Sequence, residues 1–341
     1  MGNRRFFIFI NYHYLIKGII MKKWLILLKT LLLALCLLRP AWAADVPADT
    51  FLWKISKSDT PTSYLIGTVH KGKTGSTLSP QYRDILAQTP RLVVETQIEP
   101  EFFQTPAGML RVMLMMQLAQ SEQTLVQSLG KARHAKVQRI VRRYASPDER
   151  AMLSSKQKWQ PWFVLMSLEQ MIVPKGYDDD YGIDRLLLKA ARAAGKDIDE
   201  LEGIEVLKYY AAIPEDTVLR GIDATLQHQK EQIALSQHLF KLYREHRATE
   251  LWAEVKSDKY YEMFAPQDRE IWKNMMFKQL LKERNTQWMP KLEKLLSERA
   301  NTVAVGAAHL FGEHGLIALL RQQGYTVEPI MPKKRKTNVP S

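Results

Sequence analysis

Two short apolar runs near opposite ends of the chain constrain its fold most. Residues 64–70 read YLIGTVH and residues 303–309 read VAVGAAH. Each is a β-type run that closes on Gly-x-x-His. Runs of this length and composition read as buried strands. A glycine near the end of such a strand lets the backbone turn sharply and approach a neighbouring group. The histidine that follows is then presented at the strand's end. If the two ends share one sheet, two imidazoles stand together, as metal ligands or acid–base groups must. A bare Gly-x-x-His is a common pattern; the apolar run before each copy gives it weight.

The rest of the pattern supports such a sheet. Residues 51–56 and 63–69 predict a hairpin that turns at 58–61. Ser79 and Pro80 open a helix, with Ser as N-cap and Pro at the first helical position; it runs to about Gln88. Residues 91–96 (RLVVET) form another buried strand with Glu95 at its C-terminal end. From Glu99 to about Met171 the chain reads as helical. The Met-rich stretch 109–118 is expected to pack in the core rather than face a substrate. Residues 158–171, with Trp159, Trp162 and Phe163, read as a second buried helix. An acidic loop at 178–184 leads into a helix over 185–194, which Gly195 ends. Residues 196–201 form a strand that reaches Glu202. Residues 205–299 are almost wholly helical. A strand at 302–308, a helix at 309–323 stopped by Gly324 and a strand at 325–330 finish the chain. The predicted fold class is α/β, with a sheet built from N- and C-terminal strands and a large helical middle.

The first 43 residues stand apart. Met21, Lys22 and Lys23 form a basic start, residues 24–38 are apolar apart from Lys29 and Thr30, and Ala41-Trp42-Ala43 supplies an A-x-A cleavage site. This reads as a secretory signal peptide cleaved near Ala43. Residues 1–20 read as an upstream extension, with Met21 as the start. The longest uncharged stretch of the signal, 30–38, is too short to span a bilayer, so no stable membrane anchor is expected after cleavage. The expectation is a periplasmic or secreted protein with one domain over 44–330 and a basic, disordered tail over 331–341. The only cysteine, Cys36, lies in the signal. A mature chain without thiols excludes disulfides, cysteine nucleophiles and Cys-ligated zinc. The net charge of +13 is concentrated at the ends: seven unbalanced cations precede Ala44, and four more form the run 333–336. Nothing here supports nucleic-acid binding.

One motif is a decoy. Residues 67–74 read GTVHKGKT, a literal match to the phosphate loop G-x-x-x-x-G-K-[ST]. That loop needs a helix starting at its lysine, whose N-terminus holds the phosphates. Here Gly75, Ser76 and Thr77 follow, and the helix signal comes only at Ser79. The stronger constellation is His70, Glu95 and His309, each at the C-terminal end of an apolar strand. That edge of an open α/β sheet is where ligands bind. Two histidines and a carboxylate are a common zinc set that also suits manganese or cobalt. The competing reading gives each histidine only a local hydrogen bond at a loop entry. Asp184 and Glu202 sit at junctions into helices, where capping or the helix dipole explains them as well as a pocket does. Arg284 lies in a helical segment, either exposed or holding an anionic group. His314 reads as a solvated loop residue, and His134, His228, His238 and His246 lie on polar helices without partners at metal spacing. Neither HExxH nor GxSxG occurs.

The motifs IGTVH at 66–70, VVET at 93–96, YGID at 181–184, ELEG at 200–203, RNTQW at 284–288 and VGAAHLFGEHGL at 305–316 together resemble the TraB/GumN family. They occur in order over nearly the whole chain that follows the signal. The family includes proteins linked to pheromone shutdown in conjugation, a protein from a xanthan gene cluster, and the Tiki proteins of animals, metal-dependent proteases that clip an extracellular signalling protein. The resemblance implies a fold like the erythromycin-esterase and ChaN-like α/β group. It implies a site of two Gly-x-x-His motifs and a Glu, here His70, His309 and Glu95, holding a divalent ion. The expected activity is metal-dependent hydrolysis of a peptide or protein, with Arg284, Asp184 and Glu202 lining the pocket. The alternative is a non-catalytic exported protein that binds a peptide or polysaccharide.

Overall fold

A six-stranded sheet carries the architecture. Its strands are β1 (Leu52–Ser56), β2 (Ser63–Thr68), β3 (Arg91–Val94), β4 (Asp197–Glu200), β5 (Asn301–Gly306) and β6 (Thr326–Pro329), and their spatial order is β4-β3-β5-β2-β1-β6. The computed structural model describes residues 46–97 and 99–333. The signal peptide, its upstream extension, Cys36 and residues 334–341 lie outside the described residues. One folded unit begins at Ala48.

The strands β2, β5, β3 and β4 are mutually parallel, while β1 pairs antiparallel with both β2 and β6. The register aligns Thr68 with Gly306, and Val94 with both Ala304 and Glu200. The chain therefore leaves β2, β3, β4 and β5 at one common edge. Strands buried on both faces have continuous apolar runs, and β2, β3 and β5 follow that rule, whereas the edge strand β4 (DIDE) is polar and partly exposed. Ile66, Leu92, Val94 and Ala304 pack under the helices Pro80–Gln88 and Ile183–Ala193. The alternate residues Leu65, Val93, Val303 and Val305 are buried as well. Burying one such side chain stabilises the fold by about 1.5–3 kcal/mol.

Local signals set most boundaries as the sequence predicts. The Ser79 hydroxyl accepts from the Tyr82 amide and opens the helix Pro80–Gln88. The turn at Gly195 has a positive φ of 62°, which favours glycine. The helical middle forms its own core, in which Phe163, Leu168, Ile222 and Trp272 take part.

Two expectations need correction. The Met-rich helix, Pro106–Ala119, is not core: Met109, Leu110, Met113, Leu114 and Leu118 are all exposed. Its charged residue is instead turned towards the protein, where Arg111 pairs with Glu200 and donates to Thr96 Oγ1 at 2.9 Å. Composition that is apolar nearly all round did not reveal which face packs. The helix expected at 309–323 is also shorter. A 3₁₀ turn at Ala307–His309 is followed by a loop, and the helix is Leu316–Gln322. Gly312 takes φ +81°, which breaks the helical path. The phosphate-loop look-alike has no helix at Lys73; Gly72–Lys73 instead pairs with Tyr177–Asp178.

Candidate functional site

The two Gly-x-x-His segments touch. A Cβ built on Gly67 would stand 3.0 Å from Leu310 Cδ2 and 3.1 Å from the Ala307 Cα. The first glycine thus lets the second segment approach. The second glycine does different work: the Gly306 amide donates to Glu95 Oε1 at 2.5 Å, and a Cβ there would lie 3.1 Å from that same oxygen. One phrase makes room for the other, and the other receives the carboxylate from β3.

The centre of the site is Arg284. A ten-residue π-helical stretch, Asn274–Glu283, runs directly into the helix Arg284–Glu298. Such wide turns are rare and recur at functional sites. The Arg284 guanidinium donates to Glu95 Oε2 at 2.7 Å, to Glu202 Oε1 at 2.5 Å and to His309 Nε2 at 3.0 Å. Arginine suits this because its planar fork carries five donors. It is 8 % exposed, so it is no surface arginine. One helical turn on, Trp288 lies on the same face. Its indole N–H donates to Glu202 Oε2 at 2.9 Å, its ring lies 4.5 Å from the His309 ring, and the Arg284 guanidinium sits 4.8 Å from its centre.

His309 has a defined tautomer. Asn285 Nδ2 donates to the carbonyls of His309 and His314, which turns Asn285 Oδ1 towards the ring at 2.7 Å from Nδ1. An amide oxygen only accepts, so Nδ1 carries the proton and Nε2 keeps its lone pair. Burial drives the imidazole pKa down to about 3, Arg284 and His70 push the same way, and Glu95 opposes. His309 is therefore neutral at pH 7. Burial alone would raise Glu95, but attraction to His309, Arg284 and His70 and the Gly306 amide hold it down to about 2. Since His309 is neutral, Arg284 supplies the firmest of these attractions.

His70 follows β2 and is 61 % exposed in its side chain. Its Nδ1 lies 2.6 Å from Asp184 Oδ2. The Asp184 charge raises the imidazole to about 9 against partial desolvation, and Glu95 and Asp179 add to it. Asp184 is buried, and its other oxygen, Oδ1, finds no donor among the described residues. Asp184 is thus a partner of His70, and Glu202 a partner of Arg284, rather than helix caps. Asn285 and Trp288 belong to the RNTQW segment, but sequence reasoning gave them no role. For Trp288, its i,i+4 spacing from Arg284 was the available signal; Asn285, adjacent to Arg284 in the chain, carried none. His314 is 40 % exposed in its side chain and pairs with Glu313 at 3.0 Å.

His70, Glu95 and His309 carry nitrogen and oxygen atoms of the types that divalent ions take as ligands. Both imidazoles are tied at Nδ1 by a side-chain oxygen, the outer arrangement that orients metal-binding histidines. Glu95 Oε1 and His309 Nε2 are 3.7 Å apart, against about 3.4 Å for neighbouring ligands on a tetrahedral ion at 2.1 Å. As the side chains stand, Arg284 engages both Glu95 and His309. Among the described residues no three His, Cys, Asp or Glu side chains are grouped closely enough to hold an ion.

These groups also set a pH dependence. Glu95 contributes stability that is present above its ordinary value of 4.5 and lost as pH falls towards 2. His309 stays neutral while the unfolded chain protonates near 6.5, so stability falls between 6.5 and 3. The His70–Asp184 pair stabilises fully below 6.5 and is lost as pH rises through about 9. The melting temperature of wild type should exceed that of His70→Asn at pH 6.5, and the gap should close by pH 9. A gap independent of pH would mean that the pair does not hold the proton.

An α/β sheet whose parallel strands lead to two histidines and two glutamates at one edge, with a buried arginine brought to them by a helix, defines the class of site. The sequence over residues 51–329 matches the TraB/PrgY/gumN family, and the chain belongs to that family. An uncharacterized protein of Shigella flexneri named YbaP is 28 % identical over 270 residues, covering 76 % of this chain and 88 % of its own length. The YbaP of Escherichia coli K12, likewise uncharacterized, is 30 % identical over 177 residues, covering 50 % of this chain and 59 % of its own. No solved structure matches.

Proposed function

We propose that this protein is an exported, metal-dependent hydrolase of peptide-like substrates, with its centre at His70, Glu95 and His309. The observation that carries the reading is the shared setting of the two histidines: each has Nδ1 tied to an oxygen acceptor, which reserves Nε2 for a ligand. Zinc, manganese or cobalt suits this nitrogen and carboxylate set. The basic, apolar start with its A-x-A site supports export.

A bound divalent ion would supply a lowered water pKa and polarisation of a carbonyl. His70 and His309 would hold it, and Glu95 would complete the set. A carboxylate held down to about 2 is a weak base, and general bases work best near the operating pH. Glu95 therefore suits ligation rather than proton transfer. Arg284 now engages Glu95 and His309 and would have to release them for an ion to be held, with Glu202 and Trp288 still binding the guanidinium. A guanidinium held there would stabilise negative charge developing on a carbonyl oxygen, an effect worth several kcal/mol in a water-poor site. Asp184 keeps the His70 ring oriented.

The test is cleavage of a mixed peptide library by the mature protein supplied with each ion, compared with His70→Ala and His309→Ala. The proposal expects ion-dependent cleavage that falls by about 10²-fold or more in either variant. Equal cleavage by all three proteins would refute it. Peptide binding without cleavage, unchanged in both variants, would favour a non-catalytic exported binding protein.

A further inference from the structure

A cavity lies beside the site, in the helical middle. It holds about 350 Å³ and is walled by Tyr210, Tyr260, Tyr261, Phe264 and Trp272, with Glu169 among them. That volume is in the range of small-ligand sites. Its charge is one-sided. Glu169 and Glu254 line it, and among the described residues no Lys, Arg or His does. Glu254 has a partner, His238, at 3.8 Å. Glu169 is partly buried and makes no hydrogen bond or ion pair to a described residue. A buried carboxylate without a partner is costly, and here loss of solvation pushes Glu169 up to about 7. Trp272 is 8 % exposed, and its indole N–H also finds no acceptor among the described residues.

The rings form a continuous wall. Phe264 stacks on Trp272 at 5.1 Å and meets the Tyr260 ring edge-on at 5.5 Å. Tyr260 meets Tyr261 at 5.3 Å. Aromatic faces attract cations, more strongly when water is excluded. Once ionised above about pH 7, a carboxylate with no partner among the described residues adds a charge of the complementary sign to such a wall. We infer that this cavity binds a small organic cation, a protonated amine or quaternary ammonium on an apolar body, with Glu169 as the counter-ion and the aromatic wall around it. Neither an anion nor a neutral polar ligand would match both features.

The cavity also touches the sheet-edge site. The Leu280 carbonyl accepts from Arg284 Nη1 at 3.2 Å, and Leu280 lines the cavity. Tyr210 lines it too and feels the charges of Glu169, Arg284 and Glu95. The π-helical stretch Asn274–Glu283 therefore has the cavity along its length and Arg284 at its end. The inference goes beyond hydrolysis and does not depend on it.

The experiment is an NMR titration of the ion-free mature protein with phenethylammonium and with 2-phenylethanol, its neutral counterpart. A mildly alkaline pH keeps Glu169 ionised and the amine protonated. Wild type should bind the amine about 10-fold tighter than the alcohol, one charge-assisted contact's worth of affinity. Glu169→Gln, which keeps the shape, should remove that preference. Leu239→Trp, which fills the cavity, should abolish binding of both probes. Binding that survives Leu239→Trp would overturn the site. A preference that survives Glu169→Gln, or no preference in wild type, would overturn the cation. Displacement of the probe by a capped lysine peptide would place the cation on a peptide. Displacement by free amines alone would place it on a small molecule, and either result upholds the pocket. Because no cleavage is measured, the result stands apart from the fate of the hydrolase proposal.

Discussion

Arg284→Met should destabilise the protein by about 3–5 kcal/mol in equilibrium denaturant unfolding, the cost of stranding a buried charge partner. Two carboxylates and one imidazole lose their shared donor at once. Glu95 and Glu202 have side chains only 13 % and 10 % exposed, so water cannot replace the guanidinium well. Arg284→Lys should recover only part of the loss, because one ammonium cannot reach Glu95, Glu202 and His309 with a planar fork. Pairing Arg284→Met with Glu95→Gln and Glu202→Gln should restore much of the stability, since the cost comes from unpaired charge rather than from lost volume. A loss below about 1 kcal/mol would place the cluster among weak surface pairs and remove Arg284 from the centre of the account.

Glu95→Gln is expected to have the largest effect on function. It keeps the shape of the side chain and removes its charge. The Gly306 amide and Arg284 would then face a neutral amide, and His309 would lose the anion that opposes its neutral state. Loss of the one carboxylate of the predicted ligand set should lower ion affinity by at least 10²-fold, beyond the 10–100-fold typical of outer-shell changes. Cleavage should fall with it, while the fold, read by circular dichroism, stays intact. Full activity in Glu95→Gln would show that the carboxylate serves only to anchor Arg284.

The placement of His70, Glu95 and His309 beyond the ends of three parallel strands was legible because apolar runs fix where strands stop. Once β2, β3 and β5 run parallel, their C-terminal ends share an edge, and His70, Glu95 and His309 follow. The partner of each was less legible. Nothing in the sequence around Arg284 shows whether that face of the helix is buried, and the answer depends on Glu202, which arrives from β4. Asp184 reads as well as a helix cap as it does as the anchor of His70. The outward turn of the helix Pro106–Ala119 was hidden for the same reason: composition records apolar content, not the face that packs. The cavity beside the site draws its walls from helices more than sixty residues apart, and no local pattern announces it.

The central claim is that the two Gly-x-x-His segments and Glu95 make one ion-binding centre. Calorimetric titration of the ion-free mature protein with zinc, manganese and cobalt tests it most directly. The account predicts one ion per chain, with protons released at pH 7 because His70 is protonated there before loading, and loss of that binding in His70→Ala, Glu95→Gln and His309→Ala alike. No binding by wild type, or binding that all three substitutions leave unchanged, would contradict it.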